Sequence, residues 1–162
     1  MPLVAVAIGS NLGDRESHVE FARAQLRALL AGARASSSYE TVPEGVDGEQ
    51  PLFLNAAVIG ETDLPARTVL DALLGIEAAR GRARPSARAP RTLDLDLVLV
   101  GDQIIDEPGL TLPHPRFRER RFVLEPLAEI APVLRDPVSR KTIAELLDAL
   151  TRSRPDREAP RR

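Results

Sequence analysis

The chain has 162 residues, of which 43% are hydrophobic and 28% charged, with a formal net charge of -2. This length and apolar content suit one domain with one core, and the nearly balanced charge argues against wholesale nucleic-acid binding. Because there is no cysteine, disulfides, thiolate metal sites and thiol nucleophiles are excluded, and any metal must be held by oxygen or histidine ligands.

The chain starts with a predicted strand and helix. The apolar run LVAVAIG at 3–9 predicts a strand rather than a signal peptide or a membrane span, which favours a soluble, cytoplasmic protein. SNLGDR follows as a tight turn, because it lacks the spacing and the lysine of a P-loop. Asp14 is the expected N-cap of a helix that Gly32 ends, with apolar positions at Val19, Ala22, Leu26, Leu29 and Leu30.

Two more strands and a second helix are predicted next. ARASSSYET at 33–41 and FLNAAVIGE at 53–61 are typical of strands, and the segment rich in Gly and Pro between them is typical of a functional loop. A helix is predicted over 65–81. Its apolar stripe contains a carboxylate, Glu77, four residues after Leu73. Periodicity alone leaves a functional glutamate and a solvent-facing one equally open.

The segment RTLDLDLVLVGD, at 91–102, is an apolar strand with two aspartates, Asp94 and Asp96, near its start. Side chains alternate along a strand, so the aspartates share a face with Val98 and Val100, and four leucines take the other face. The aspartate Cα atoms would lie roughly 6.6 Å apart, so a cation between the carboxylates would relieve their repulsion. Mg²⁺ commonly binds one or two carboxylates together with substrate phosphates. We expect a metal site; the alternative is an ordinary solvent face, which the valines disfavour.

Arginines crowd the residues just before this strand, and no acidic residue interrupts them: Arg80, Arg82, Arg84, Arg88 and Arg91. Such a run is usually a solvated loop. Beside acidic metal ligands, however, guanidinium groups can hold phosphate oxygens and stabilise the charge that develops during transfer. The combination predicts nucleotide chemistry.

A second basic cluster surrounds a histidine in TLPHPRFRERRF. His114 lies between two prolines and precedes four arginines: Arg116, Arg118, Arg120 and Arg121. A lone histidine is usually structural, but a fixed backbone and basic surroundings suit donation to a phosphate. The other histidine, His18, is expected on the exposed side of the first helix without such a context.

The remaining elements complete one domain over 1–150. QIID at 103–106 is the expected hairpin partner of the aspartate strand, Pro126 is expected to open a short helix, and an amphipathic helix is predicted over 142–150. Residues 151–162 lack apolar periodicity and are interpreted as a charged, disordered tail. This mixture favours an α+β sandwich with a largely antiparallel sheet over a regular βαβ fold.

Seven segments carry a family resemblance: AIGSNLGDR, FLNAAV, GIE, GRAR, APRTLDLDLVL, LTLPHPRF and RRFVLEPLAEIAP. In this order, over about residues 3–135, they strongly resemble 6-hydroxymethyl-7,8-dihydropterin pyrophosphokinase of the folate pathway. The resemblance implies transfer of pyrophosphate from ATP to the pterin hydroxymethyl group, giving AMP, with two Mg²⁺ ions. It also implies a ferredoxin-like core in a three-layer αβα sandwich. We expect a monomer that binds ATP and the pterin, with no nucleic-acid or membrane partner.

The resemblance also implies roles for single residues. Asp94 and Asp96 match the metal ligands, and Arg82 and Arg91 match catalytic arginines. Positions around ATP are matched by Glu77, Arg84, Arg88, Thr111, His114 and Arg120. Positions around the pterin are matched by Thr41, Val42, Pro43, Phe53, Asn55 and Phe122. There, two aromatic faces would sandwich the flat ring, and an amide would complement its edge.

Two alternatives to this interpretation stay open from the sequence. Another two-metal enzyme, such as a nucleotidyltransferase or phosphohydrolase, would release AMP or phosphate from ATP without a pterin. A non-enzymatic nucleotide- or RNA-binding module would use the arginine-rich loops for backbone phosphates and would not need Asp94 and Asp96. The sequence also departs from the family pattern: ARAPR lacks an aromatic residue often found there, and Leu74, Gly109 and Pro115 differ near the nucleotide positions.

Overall fold

The computed structural model describes residues 1–42, 52–81 and 92–153. In these ranges a short 3₁₀ helix (Phe117–Glu119) accompanies the strands and α-helices, which are β1 (Leu3–Ser10), α1 (Arg15–Leu29), β2 (Ala31–Ala35), β3 (Tyr39–Thr41), β4 (Phe53–Glu61), α2 (Ala66–Ala79), β5 (Asp94–Val100), β6 (Ile105–Glu107), β7 (Leu110–Leu112), α3 (Arg121–Ile130) and α4 (Ile143–Ser153).

The main sheet is antiparallel and has the order β2-β4-β1-β5, with β3 also paired to β4. The two units β1-α1-β2 and β4-α2-β5 are each split by a strand of the other unit. This arrangement is the ferredoxin-like one. The predicted α+β class and the largely antiparallel sheet are therefore confirmed.

Helices cover both faces of the sheet. Val4, Val6 and Ile8 of β1 belong to one core cluster, with α1 and α2. Ala5 and Ala7 of the same strand belong to the other cluster, with α3 and α4. Burial on both faces explains why LVAVAIG is continuously apolar instead of alternating with polar residues. The result is the expected three-layer αβα sandwich.

The first helix begins as predicted and ends earlier. The Asp14 carboxylate accepts a hydrogen bond from Ser17 N at 3.1 Å and caps the helix. The helix stops at Leu29, and Gly32 lies inside β2, so the predicted stop at Gly32 is wrong. The predicted strand at 33–41 is two strands, because Ser36 hydrogen-bonds Ala57 through both its backbone and its side chain.

Two predictions in the second half of the chain are wrong. Segment 103–106 does not pair with the aspartate strand; Ile105 lies opposite Leu112, so β6 pairs with β7 in a separate sheet. Pro126 does not open a helix, because it lies buried in the middle of α3. Burial of Leu124 and Leu127 on the same stripe keeps the helix continuous despite the missing proline N–H.

The last helix is capped by a reciprocal pair. Thr142 Oγ1 accepts from Glu145 N at 3.1 Å, and Glu145 Oε1 accepts from Thr142 N at 2.8 Å. The helix continues to Ser153, beyond its predicted end. The rest of the predicted tail, 154–162, lies outside the described residues.

A β-bulge in β5 alters the predicted alternation. Ala5 pairs with Leu99 and Val6 with Leu97, so Val98 is the extra residue. Val98 and Leu99 consequently belong to the same core cluster, whereas Val100 belongs to the opposite one. The predicted faces are wrong for Leu99 and Val100. The two aspartates precede the bulge and keep their common face.

Candidate active site

Three neighbouring strands place polar residues side by side on the face that also carries α3 and α4. Asp94 of β5 lies opposite Gly9 of β1, and Gly9 lies opposite Asn55 of β4. Opposed Cα atoms on paired strands are about 5 Å apart, so about 10 Å separates the Cα atoms of Asp94 and Asn55. One residue of β1, Gly9, therefore separates Asp94 on the predicted metal strand from Asn55 on the predicted pterin strand.

The predicted metal ligands are half-buried at the start of β5. Arg120, just before α3, places Nη1 3.7 Å from Asp96 Oδ2. Within the described ranges, no cluster of three or more His, Cys, Asp and Glu side chains forms a ready metal site. Two carboxylates with other positions left to phosphates and water are the donor set that Mg²⁺ uses. Asp94 and Asp96 therefore fit the predicted ion.

His114 is held in one orientation beside β5. Its backbone N–H donates to Val98 O at 2.7 Å, and its Nδ1 accepts from Arg116 N at 3.1 Å. The neutral ring therefore carries its proton on Nε2, which is a donor suited to a phosphate oxygen. Burial lowers the pKa of His114, Arg120 lowers it further, and Asp94 opposes the shift. The ring is a neutral donor near pH 7.

A cavity of about 300 Å³ lies beside the outer edge of β5. Its walls include Asp96 together with Thr111 and His114, two of the predicted nucleotide residues. Gly109 and Pro115, where the sequence departs from the family pattern, also line it. The structure thus brings three predicted site residues together, since Asp96, Thr111 and His114 line one cavity.

Glu77 is buried, with 7% of its surface exposed. Its Oε2 accepts a hydrogen bond from Leu95 N at 2.7 Å. Leu95 stands between Asp94 and Asp96 on β5, so this bond connects α2 to the segment that presents both aspartates. The solvent-facing interpretation of Glu77 is wrong, and its predicted contact with the nucleoside stays a prediction.

Three of the predicted pterin residues, Thr41, Phe53 and Asn55, lie on the paired strands β3 and β4. Thr41 lies opposite Phe53, and Asn55 Nδ2 donates to Thr41 Oγ1. Phe122 lies in the first turn of α3, packs against the core under that helix, and has the Arg120 guanidinium 5.6 Å from its ring centroid. Val42, which follows Thr41, is exposed.

Five predicted site residues lie outside the described residues: Pro43, Arg82, Arg84, Arg88 and Arg91. The described residues that flank the arginine segment are both anchored. Arg80 Nη2 donates to Ser17 O at 3.1 Å, and its guanidinium carbon lies 4.3 Å from the Phe21 ring centroid. On the other side, Ser10 Oγ donates to Thr92 O.

Sequence reasoning assigned no role to Gly9, which it placed at the end of the first strand, or to Ser10, which it placed in the following turn. The available signal was a glycine and a serine placed directly at the end of an apolar strand.

His18 is half-buried rather than exposed. Burial and Arg80 lower its pKa, and Asp14 opposes this. None of the helices in the described ranges is long and apolar enough to cross a membrane.

Comparisons with known proteins identify a family. Residues 5–132 match the model of 7,8-dihydro-6-hydroxymethylpterin-pyrophosphokinase, HPPK. The 2-amino-4-hydroxy-6-hydroxymethyldihydropteridine pyrophosphokinase of Pseudomonas aeruginosa is 41% identical over 151 residues, which cover 90% of this chain and 90% of that protein. The protein of that name from Synechocystis is 42% identical over 146 residues, 88% of this chain and 73% of its own.

Solved structures show the same fold. An HPPK-DHPS protein in complex with substrates matches with a TM-score of 0.79 at 13% identity, covering 99% of this chain and 45% of that one. HPPK-DHPS from Plasmodium falciparum matches with a TM-score of 0.78 at 15% identity, covering 97% of this chain and 47% of that one. The chain spans less than half of these longer proteins.

Proposed function

Since the chain belongs to the HPPK family and is a pyrophosphokinase of folate biosynthesis, we propose that it transfers pyrophosphate from ATP to 6-hydroxymethyl-7,8-dihydropterin, releasing AMP. The observation that carries this proposal is the register of Asp94, Gly9 and Asn55 across three strands. The distance from Asn55 to Asp94 is about two strand widths. A flat ring bound at Asn55 could cover this distance together with its hydroxymethyl group, which would then face phosphates held at Asp94.

Asp94 and Asp96 would hold two Mg²⁺ ions, with phosphate oxygens completing the ligand sets. When bound, such ions neutralise phosphate charge and keep the attacking and leaving oxygens in line. The two half-buried carboxylates share one face of β5, which keeps both turned towards the same phosphates. Arg120, 3.7 Å from Asp96, is available to bind phosphate once a cation takes the carboxylate.

The other nucleotide residues have complementary roles. His114 donates Nε2–H to a phosphate oxygen without changing its protonation state, and Thr111 lines the same cavity. Arg82 and Arg91 are proposed to stabilise the charge that develops during transfer, with Arg84 and Arg88 assisting at ATP. Positioning and electrostatic stabilisation then account for catalysis without a general base for the pterin hydroxyl.

The pterin would be recognised by the residues around Asn55. The hydrogen bond to Thr41 orients the Asn55 amide, which then offers donor and acceptor atoms to the ring edge. Phe53 and Phe122 would stack on the two ring faces, with Val42 and Pro43 at the rim. A monomeric, cytoplasmic enzyme remains part of the proposal.

The test is AMP release from ATP and Mg²⁺, measured with and without 6-hydroxymethyl-7,8-dihydropterin. We expect AMP only when the pterin is present, and none from Asp94→Ala. The matched control is Asp102→Ala, which removes an exposed carboxylate just beyond β5 and should leave the rate unchanged. AMP release without pterin would instead support the two-metal hydrolase alternative. ATP binding without turnover would support the binding-module alternative.

A further inference from the structure

Gly9 lies on β1, the strand between the proposed metal strand β5 and the proposed pterin strand β4. It faces Asp94 on one side and Asn55 on the other. By strand alternation, a side chain at position 9 would point to the same face as Ala5 and Ala7. Those two alanines belong to the core under α3 and α4. The next position on that face has no side chain at all.

A side chain at position 9 would be crowded by two side chains of β4. A Cβ atom there would lie 3.3 Å from Asn55 Oδ1 and 3.6 Å from Phe53 Cδ1. The first contact is tighter than ordinary van der Waals contact, so Asn55 would have to move by a few tenths of an ångström. The amide oxygen and the aromatic ring therefore rest directly against the backbone of β1.

Backbone conformation does not explain this glycine. Gly13, in the following turn, has a φ of 75°, whereas Gly9 lies in regular strand geometry outside the positive-φ region. A glycine inside a strand normally weakens it, so an alanine would be favoured if there were room. What distinguishes position 9 is that the side chains of Asn55 and Phe53 lie directly against its Cβ position.

We propose that Gly9 is a positioning residue for the pterin, acting through Asn55 and Phe53. This inference rests on the proposed function. The missing Cβ lets the amide and the ring settle onto β1, which fixes the depth of the bound pterin relative to Asp94. An added methyl group displaces the Asn55 amide, and with it the pterin edge that the amide binds. The nucleotide cavity, which borders the outer edge of β5, is left unchanged.

The test compares Gly9→Ala with Gly75→Ala. Gly75 lies in α2, and nothing lies within 4 Å of its Cβ position, so its replacement is a matched glycine-to-alanine control. We expect Gly9→Ala to raise the KM for the pterin about tenfold, because the displaced Asn55 amide no longer matches the ring edge and binding is lost. The KM for ATP and the melting temperature should stay near the wild-type values. Gly75→Ala should leave both KM values unchanged.

A double-mutant cycle with Asn55→Ser tests the route of the effect. Serine is shorter than asparagine and vacates the space above position 9, so Gly9→Ala should add little to the pterin KM in that background. Equal effects in the two backgrounds would overturn the proposal. Isothermal titration of the pterin, with Mg²⁺ and a non-hydrolysable ATP analogue, measures the same shift as binding.

Different results would contradict the proposed function and the positioning role of Gly9. If wild-type protein releases no pterin-dependent AMP and binds no pterin, the proposed function has failed. If wild-type protein is active and Gly9→Ala keeps the wild-type pterin KM, the positioning role is wrong. A parallel rise in both KM values with a lower melting temperature would show ordinary packing and would also overturn it. Should Gly9→Ala fold poorly alone, the double variant with Asn55→Ser supplies the comparison.

Discussion

Two arginine–aspartate pairs start two residues apart in the chain and reach different environments. Arg118 donates to Asp136 through Nε at 2.5 Å and Nη2 at 2.9 Å, and Asp136 is completely buried. Arg120 approaches Asp96 only to 3.7 Å, and these two side chains are 23% and 29% exposed. The residue types are the same, but the first contact is bidentate and made to a fully buried carboxylate, whereas the second is long and made to a partly exposed one.

The difference separates a structural clamp from a contact that can be rearranged. Burial alone would raise the pKa of Asp136, but hydrogen bonds from Arg118, Ser139 and Val138 outweigh it and hold that pKa far below its usual range. The clamp joins the 3₁₀ helix to the α3–α4 connection, and so fixes the backbone from which Arg120 projects. At 3.7 Å, Arg120 can leave Asp96 for a phosphate at little cost.

Replacing each aspartate with asparagine should show the difference between the two pairs most clearly. Asp96→Asn should lower turnover about a thousandfold, because a lost metal ligand removes several kcal/mol of charge stabilisation. Its unfolding free energy should change by less than about 1 kcal/mol. Asp136→Asn should lose about 3 kcal/mol of stability, because Arg118 is left without its charged partner. Urea unfolding and the AMP assay measure both.

The pH dependence supplies the control for Asp136. Its folded-state pKa is lowered, so its stabilisation is present above the unfolded value of about 3.9 and is lost as the pH falls towards the folded value. The stability gap between wild type and Asp136→Asn should therefore be widest above about pH 5 and narrow below about pH 4. A gap that stays constant over this range would contradict a charged clamp.

Local patterns predicted the parts of the fold that local physics determines. The apolar run of β1, the Asp14 cap and the shared face of Asp94 and Asp96 follow from alternation and capping within a few residues. The pairing of β6 with β7, the continuous helix through Pro126 and the bulge at Val98 depend on packing against distant segments. No pattern within a few residues encodes those contacts.

The candidate site divides in the same way. The carboxylate pair and His114 were visible because their residue types are informative on their own. Asp136 gave no signal, since its partner Arg118 lies 18 residues away and the clamp exists only after folding. Gly9 gave only the weak signal of a glycine at the end of an apolar strand, because its importance comes from Asn55 on the neighbouring strand. Family resemblance supplied the pterin, which residue chemistry alone left open.

A smaller effect is expected from Glu77 of α2, which supports the strand that carries Asp96. Glu77→Leu leaves the buried Leu95 N–H without its acceptor, which should cost about 2 kcal/mol of stability. Turnover should fall about tenfold as the aspartate segment loosens. Glu77→Gln is the matched control, because it keeps an acceptor and should lose less than about 1 kcal/mol. Hydrogen exchange of the Leu95 amide reports the bond directly.

The two variants also separate positioning from nucleotide binding. If Glu77 serves only the nucleoside, Glu77→Leu should raise the KM for ATP while the Leu95 amide keeps its protection from exchange. Early exchange at Leu95 with a nearly unchanged KM for ATP would instead assign Glu77 to the strand. Glu77 of α2 would then support Asp96 through the backbone of β5.

The smallest effect should appear in the pKa of His114. It tests whether Arg120, although paired with Asp96, still acts as a positive charge on neighbouring groups. Burial lowers the pKa of His114 from 6.5, and Arg120 lowers it further. Arg120→Gln should therefore raise that pKa towards 6.5, as followed by NMR titration of the metal-free protein, with His18→Gln used to assign the signals. Arg67→Gln is the control, because Arg67 pairs with Glu107 and is not among the groups that shift the pKa of His114.

Stability should follow the same sign. Because the folded-state pKa of His114 is lowered, the unfolded chain binds more protons near pH 6, so this contribution is present above the ordinary pKa and lost as the pH falls below it. Arg120→Gln should flatten that slope. If neither the pKa nor the slope changes, Asp96 already neutralises Arg120 as completely as Asp136 neutralises Arg118. The two pairs would then be alike, and Arg120 would have no charge to offer a phosphate.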